Sequence, residues 1–317
     1  MSGCWVRGWL GVLAAGLIGA APLLAMGGPD AAPATTAKVT VTVHPRQAGA
    51  DPVLYKEDIR VYEDNQRRPV VSWVEANPLL GPLDLTILVD DSIGSQVSLQ
   101  FRDLADFFRT LPAGTRVRIA YAAYGGNRIV QDFTGDYQAA AQALRIPVGP
   151  ELAGGSIYQS VVDLLKHWPQ DGRRRELLVI SDGIDFNQGL ELTDPTLNLE
   201  LQPAIDLAQR TNIPIYTIFA RGSSVLEENG RLLLNGQGCL LRLSSETGGQ
   251  SYFQGTFTPV DFAPYLKEFS NDLLHQYELT FEVLPAPKTG YQPLHVTTEV
   301  PGVRLFAPAR VFIPKAE

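Results

Sequence analysis

The sequence predicts an α/β fold in which a doubly wound, mostly parallel sheet is inserted into a small β-sandwich formed by the two chain ends. From about residue 80 to residue 275, apolar β-branched runs alternate with amphipathic helical patterns. Short strands with a period of two lie on both sides of that stretch, and neither group is large enough to be stable alone. The two groups are therefore expected to pair with each other.

The first 25 residues predict a secretory signal peptide. They carry one cation, Arg7, followed by an uncharged apolar stretch from about Trp9 to Ala25 that ends in small residues. The stretch is short for a membrane span, although a retained anchor is the alternative. We expect a secreted or periplasmic protein in which residues 26–37 form a linker of small residues and proline.

Strands of the predicted sandwich occupy residues 38–78 and 276–317. The first half contains the alternating segment KVTVTV and a hairpin of IRVYED and PVVSWVE around the turn at Asp64 and Asn65. The second half contains YELTFEVL, LHVTTEV and two short strands near the end of the chain. Alternation of this kind is typical of strands with one buried face.

The predicted central domain, residues 80–275, begins with the buried strand LDLTILVDD and a helix from about 96 to 110. A glycine-rich turn then joins the strands RVRIAYAAYG and RIVQDFTG, and the second of these is expected to form an antiparallel edge. Strands and helices alternate through the rest of the domain, with the segments DYQAAAQALR, SIYQSVVDLLKHW, ELLVISDG, ELQPAIDLAQRTN, PIYTIFARG, LLRLSSETGG, QSYFQG and FAPYLKEFSNDLLHQ.

Charge and cysteine content exclude several classes of function. The formal net charge of −8 disfavours nucleic acid and anionic membrane surfaces as partners. Beyond the signal, Cys239 is the single cysteine, which excludes an intramolecular disulfide and a cysteine-based metal site. It lies in an amphipathic helical pattern and is expected to be buried. The run Arg173–Arg175 is expected to be a solvated start of a strand.

Residues with oxygen-bearing side chains lie at the carboxyl ends of two of the predicted buried strands. The segments 87–95 (ILVDDSIGS) and 177–186 (LLVISDGIDF) reach aspartates at their ends, and the turn AGGSIY at 153–158 lies between them. The carboxyl ends of parallel strands meet at one edge of the sheet, where open α/β sheets bind ligands. Hydroxyl and carboxylate oxygens without histidine or cysteine suit Mg²⁺, Ca²⁺ or Mn²⁺. The sequence therefore predicts a divalent-cation site.

The order of apolar strand, D-x-S, helix, hairpin, glycine-serine turn and S-D-G resembles a von Willebrand factor type A (VWA) domain. The flanking segments resemble the secreted bacterial proteins described as VWFA-related, and the likeness covers nearly the whole chain after the signal. The resemblance implies a metal-ion-dependent adhesion site. Its implied ligands to Mg²⁺, or to Ca²⁺ or Mn²⁺, are Asp90, Ser92, Ser95, Ser156 and Asp182.

Two positions depart from the family pattern. Strict D-x-S-x-S spacing places the second serine at Gly94, so Ser95 matches only if the loop is one residue longer, and Ser156 stands where the family has threonine. Ordinary structural roles are the alternatives: Ser92, Ser95 and Ser156 as helix caps, and Asp182 as a turn residue. Asp91 is expected to be solvated or a cap.

The resemblance implies a secreted protein-binding module, acting in adhesion, whose cation takes a carboxylate from a partner protein. One alternative is a structural interaction domain with a degenerate, metal-free site. Another is a metal-assisted hydrolase with Asp90 or Asp91 as nucleophile, but the sequence has no G-x-S-x-G elbow, P-loop or G-x-G-x-x-G motif. We expect no enzyme activity. The sequence identifies neither the partner nor the oligomeric state.

Overall fold

The structure, a computed structural model, describes residues 35–46, 53–76, 81–149, 155–185, 189–221, 229–253, 261–284 and 289–314. Fourteen strands occur in these residues. Four strands come first along the chain: β1 (Thr36–Pro45), β2 (Ile59–Glu63), β3 (Gln66–Arg68) and β4 (Val70–Glu75). The next six form the central sheet: β5 (Leu83–Asp90), β6 (Arg116–Ala123), β7 (Gly126–Thr134), β8 (Arg174–Ser181), β9 (Ile215–Phe219) and β10 (Ser251–Tyr252).

The last four strands are β11 (Gln276–Glu282), β12 (Gly290–Thr298), β13 (Val303–Phe306) and β14 (Arg310–Ile313). The α-helices of the described chain are α1 (Phe101–Phe108), α2 (Tyr137–Gln142), α3 (Ile157–Lys166), α4 (Leu201–Thr211), α5 (Gly230–Thr247) and α6 (Ala263–Leu274). The predicted signal peptide and most of the predicted linker lie outside the described residues.

The central sheet has the strand order β10-β9-β8-β5-β6-β7. All its neighbours pair in parallel except β7, which is antiparallel to β6 and forms the predicted edge. All eight residues of β5 are buried because helices cover both faces of the sheet. One face packs against α1, α2 and α6, and the other packs against α3, α4 and α5.

The two chain ends form two four-stranded antiparallel sheets, ordered β13-β1-β11-β4 and β14-β12-β2-β3. In each sheet a strand from before the central domain pairs with one from after it, as β1 pairs with β11 and β2 with β12. Buried residues of both sheets, including Val41, Val61 and Leu279, share one hydrophobic core. The predicted fold class, with a mostly parallel central sheet and flanking antiparallel sheets, is confirmed.

Two helices differ from their predicted bounds. The segment predicted as a helix from 96 to 110 begins with a 3₁₀ turn at Ser95–Gln100, after which α1 ends at Phe108. Helix α5 begins ten residues before the predicted LLRLSSETGG segment, because the side chain of Asn229 accepts bonds from the first backbone amides. Cys239 is a buried free thiol within α5, as predicted. No helix of the described residues is both long and apolar enough to cross a membrane.

Buried polar bonds join the central sheet to the sandwich. The amide of Gln276 on β11 donates to Glu176 on β8 at 2.8 Å and to the hydroxyl of Tyr216 on β9 at 3.3 Å. The hydroxyl of Tyr216 also lies 3.0 Å from that of Thr42 on β1. Bonds of this kind require specific partner positions in a dry environment, so they fix how the two parts meet.

Replacing Glu176 by glutamine should remove a pH dependence of stability. Burial is the main cause that raises the pKa of Glu176 from its ordinary value of 4.5 to about 8. Between these values the native state binds more protons than the unfolded state, so its stability falls as the pH rises. The slope that Glu176 contributes is at most about 1.4 kcal/mol per pH unit.

Urea unfolding of wild type and Glu176→Gln from pH 4 to 9, in EDTA, measures this slope as the difference between the two proteins. The exposed Glu57→Gln serves as the control and should track the wild type. Parallel stability curves for wild type and Glu176→Gln would mean that Glu176 is already ionised in the native protein.

Candidate functional site

Asp90, the last residue of β5, is buried with its carboxylate oriented by two strand ends. Its Oδ1 accepts the backbone N–H of Ser92 at 2.9 Å and the Ser92 hydroxyl at 2.6 Å. Its Oδ2 accepts the hydroxyl of Ser181, the last residue of β8, at 2.7 Å. Because β5 and β8 are adjacent and parallel, their ends bring these three side chains to one edge of the sheet.

Asp182 follows β8 directly and is also buried. Its Oδ1 accepts the backbone N–H of Ile184 at 2.9 Å. Burial and then the nearby charge of Asp90 raise the pKa of Asp182 well above its ordinary value. Burial likewise raises the pKa of Asp90, against the hydrogen bonds of Ser92 and Ser181 that lower it. Within the described chain, no salt bridge reaches either carboxylate, so no cationic side chain compensates these two buried groups.

Ser156 caps helix α3, as its hydroxyl accepts the backbone N–H of Gln159 at 3.4 Å. The same helical turn contacts the loop after β8, since the hydroxyl of Tyr158 donates to the carbonyl of Gly183 at 2.6 Å. Gly155 precedes the cap with a φ of +132°, and a Cβ there would lie 2.4 Å from the backbone nitrogen of Gly125. Only glycine lets the chain pass so close to the turn between β6 and β7.

Ser95 is the exposed first residue of the 3₁₀ turn after β5. Among the described residues its hydroxyl has no hydrogen-bond partner, and neither Ser95 nor Ser156 bonds to Asp90 or Asp182. The structure thus joins Asp90 to Ser92 and Ser181 by hydrogen bonds and places Asp182 directly after Ser181 in the chain. It places Ser156 on the neighbouring helix cap and Ser95 on the surface of the following turn.

Asp91 is neither solvated nor a helix cap, contrary to the sequence-based expectation. It is buried, and the guanidinium of Arg145 donates to its Oδ1 at 2.7 Å and to its Oδ2 at 2.5 Å. The backbone N–H of Val148 donates to Oδ1 at 3.0 Å, and the guanidinium lies 3.9 Å from the ring centre of Tyr121. This ion pair neutralises Asp91 and holds the segment after α2 against the end of β5.

Sequence reasoning missed two residues of this edge. Ser181 was visible as the serine of the S-D-G motif, but nothing marked it as a partner of Asp90. Arg145 is 54 residues from Asp91 and carried no sequence signal at all. Asp185, three residues after Asp182, is also buried.

Helix α5 makes a close backbone contact with the loop that carries Asp182, and the contact lies at Gly236. A Cβ on Gly236 would lie 2.1 Å from the carbonyl oxygen of Asp182, and one on Gly183 would lie 2.3 Å from the carbonyl oxygen of Gly236. Gly183 also has a φ of +72°, a left-handed conformation that favours glycine. The path of the loop that carries Asp182 therefore depends on two backbones that touch without side chains between them.

The chemistry of this edge fits a hard divalent cation. The donors are carboxylates and hydroxyls, and two of the carboxylates lack a compensating charge. Within the described residues, no group of three or more histidine, cysteine, aspartate or glutamate side chains could hold a metal. A cation here would therefore rely on two carboxylates, serine hydroxyls and water, which is a donor set for Mg²⁺ rather than for Zn²⁺.

The predicted doubly wound sheet is confirmed, with β7 as its antiparallel edge and the D-x-S and S-D-G motifs at the ends of β5 and β8, and this arrangement resembles a von Willebrand factor type A fold. No protein-family model and no curated protein matches the chain.

Several solved structures are distantly similar. A von Willebrand factor type A protein from Catenulispora acidiphila is 11% identical, with 90% of this chain and 74% of that chain covered and a TM-score of 0.42. An aerotolerance-related membrane protein from Bacteroides fragilis is 16% identical, with 60% and 98% covered and a TM-score of 0.41. The ArnB paralog VWA2 from Sulfolobus acidocaldarius is 9% identical, with 89% and 76% covered and a TM-score of 0.40. At this distance none of them transfers an activity or a partner.

Replacing Gly236 by alanine should destabilise the protein by about 1–3 kcal/mol, because the added methyl group overpacks the contact with the Asp182 carbonyl. The sign of this change in unfolding free energy is informative, because a glycine-to-alanine substitution inside a helix otherwise stabilises a protein by up to about 1 kcal/mol. Denaturant unfolding measures the change.

Gly230→Ala is the matched control in the same helix, because a Cβ at that position meets nothing within 4 Å. It should be neutral or slightly stabilising. Equal effects of the two substitutions would refute the close contact between α5 and the Asp182 loop.

Proposed function

We propose that this protein is an extracytoplasmic protein-binding module that holds a divalent cation at the edge of its central sheet and uses it to engage a carboxylate of a partner protein. The observation that carries the proposal is the pair of buried carboxyl groups, Asp90 and Asp182, at the ends of adjacent strands: the charge of Asp90 adds to burial in raising the pKa of Asp182, and no salt bridge within the described chain reaches either group. A bound Mg²⁺, Mn²⁺ or Ca²⁺ would supply the missing positive charge.

In the proposed site, Asp90, Ser92 and Asp182 form the centre, and Ser156 contributes from the cap of α3. Ser95 completes the set, because its hydroxyl is exposed and has no hydrogen-bond partner among the described residues. Ser181 orients Asp90 from behind by donating to its Oδ2. A bound cation would supply Lewis acidity toward an incoming carboxylate oxygen. The residues named above would hold the cation in place and compensate part of its charge.

A partner carboxylate suits this edge for an electrostatic reason. Mg²⁺ retains several waters when few protein ligands surround it, and an external carboxylate can replace one of them. The neutralised Asp91 adds no free negative charge to repel such a partner, because Arg145 binds both its oxygens. The fold itself hosts many ligands, so the identity of the partner rests on experiment.

The second candidate is an interaction domain with a metal-free site. The hydroxyls of Ser92 and Ser181 already donate to Asp90, which keeps this carboxyl satisfied without a metal. In that case, protonation rather than a cation would relieve the repulsion between Asp90 and Asp182. The proposed location outside the cytoplasm applies to both candidates, and it depends on the predicted signal peptide.

A metal-assisted hydrolase is disfavoured by the surroundings of Asp91. A nucleophilic carboxylate needs a free oxygen, whereas the guanidinium of Arg145 binds both oxygens of Asp91 and a backbone amide binds one of them. Asp90 is also bonded at both oxygens. We therefore propose binding rather than catalysis.

Asp182→Asn should weaken Mg²⁺ and Mn²⁺ binding by at least about tenfold while leaving the fold intact, because it removes one of two charges that the cation neutralises. Without metal the variant should be as stable as the wild type or more stable, since a buried uncompensated charge disappears. Calorimetric titration and thermal unfolding, each with and without EDTA, give both quantities.

The control is Asp64→Asn, an exposed substitution at the sandwich hairpin that should bind the cations like the wild type. Normal Mg²⁺ binding by Asp182→Asn would refute the ligand assignment. If the wild type binds neither cation at millimolar concentrations, the result would favour the metal-free interaction domain. Capture of a partner protein that EDTA does not affect would then support that second candidate.

A further inference from the structure

A cavity of about 510 Å³ lies at the edge of the central sheet opposite the candidate cation site. Its walls are the connection from α3 into the start of β8, together with residues of β1 and β11 from the sandwich. None of the five proposed cation ligands lines it. Its size is within the range of about 300–1,000 Å³ that is typical of small-molecule sites.

Four cationic side chains line this cavity, and two of them are neutralised. The ammonium of Lys38 lies 2.8 Å from the carboxylate of Glu278. The guanidinium of Arg173 donates to the buried carboxylate of Asp84 at 2.5 Å. These pairs leave Arg174 and Arg175 as the cations of the cavity that form no salt bridge with the described residues.

Arg174 is not the solvated residue that the sequence suggests. Its side chain is partly buried, and it makes no hydrogen bond and no salt bridge with the described residues. Its Nε and Nη1 atoms are both buried without a partner. Arg175 donates to the carbonyl of Thr211 at 2.8 Å and to the amide oxygen of Gln170 at 3.3 Å, and both of these acceptors are neutral. Burial lowers the pKa of both arginines.

Glu176, whose charge acts on Arg174, is disfavoured as the compensating anion. Glu176 lines the same cavity with 1% of its surface exposed, and its pKa of about 8 keeps it mostly protonated at neutral pH. Its Oε2 is buried without a hydrogen-bond partner, as is the Oε1 of Gln276 beside it. The cavity therefore combines uncompensated positive charge with unsatisfied buried polar atoms.

We propose that this cavity binds a small oxyanion, a phosphate or a carboxylate, through the guanidinium groups of Arg174 and Arg175. Desolvated cations are costly unless an anion compensates them, and guanidinium forms strong charge-assisted bonds with both kinds of oxyanion. Protonated Glu176 adds a donor rather than a repulsive charge. The sandwich forms one wall, so the bound anion bridges the central sheet and the strands of the chain ends.

Calorimetric titration and thermal unfolding of the purified protein in chloride buffer with EDTA, at pH 7 and constant ionic strength, test this proposal. Inorganic phosphate and succinate are the two probes, and their relative affinities identify the preferred anion. The wild type should bind at least one of them and unfold at a higher temperature in its presence. Arg174→Gln should weaken that binding about ten- to a hundredfold, because it removes hydrogen bonds to a charged ligand.

Without anion, Arg174→Gln should be no less stable than the wild type, which excludes misfolding as the cause of weaker binding. Arg102→Gln is the control, since its side chain is 90% exposed on α1, and it should bind like the wild type. Asp182→Asn should also retain anion binding, so the result is independent of the cation site. Absence of binding by the wild type, or equal weakening in Arg174→Gln and Arg102→Gln, would overturn the proposal.

Discussion

Two buried carboxyl groups, Asp90 and Asp182, lie at the ends of adjacent parallel strands of the central sheet, and the rest of the candidate site is organised around this pair. Burial and mutual repulsion disfavour the ionised forms of Asp90 and Asp182. The hydroxyls of Ser92 and Ser181 hold Asp90 in place by donating to both of its oxygens. Such an arrangement is stable only if protons or a cation compensate the charge, and this requirement is the basis of the proposed cation binding.

The site also depends on backbones that touch. Gly155 passes the turn between β6 and β7, and Gly236 of α5 lies against the carbonyl of Asp182. Each contact joins segments far apart in the chain, and each would be blocked by a single methyl group. The loops that carry the candidate ligands are therefore positioned by the packing of helices and turns behind them, so the geometry of the edge is a property of the whole central domain.

The two edges of the central sheet carry titratable side chains of opposite kind, without salt bridges among the described residues. At the carboxyl ends of the strands lie the buried acidic groups of Asp90 and Asp182. At the other edge lie Arg174 and Arg175, where the sandwich covers the start of β8. The sandwich thus changes the electrostatics of the sheet as well as its stability, because it removes water from arginines that would otherwise be solvated.

Local patterns in the sequence were sufficient to predict much of the fold. Apolar runs and their spacing predicted the doubly wound sheet, its antiparallel edge and the strands of the two ends. Because parallel strands end together, the same runs also placed Asp90 and Asp182 at one edge. Hydrophobic periodicity reports burial one element at a time, and each of these features can be read within one element or between neighbouring ones.

The tertiary structure alone decided which distant groups meet. Arg145 pairs with Asp91 across 54 residues, Ser181 orients Asp90 from the adjacent strand, and Gly236 of α5 lies against the carbonyl of Asp182. The side chain of Arg174 is partly buried in a cavity that β1 and β11, one strand from each chain end, help to line. These contacts depend on which surfaces pack together, and the pattern of a single segment contains no information about the surface that will face it.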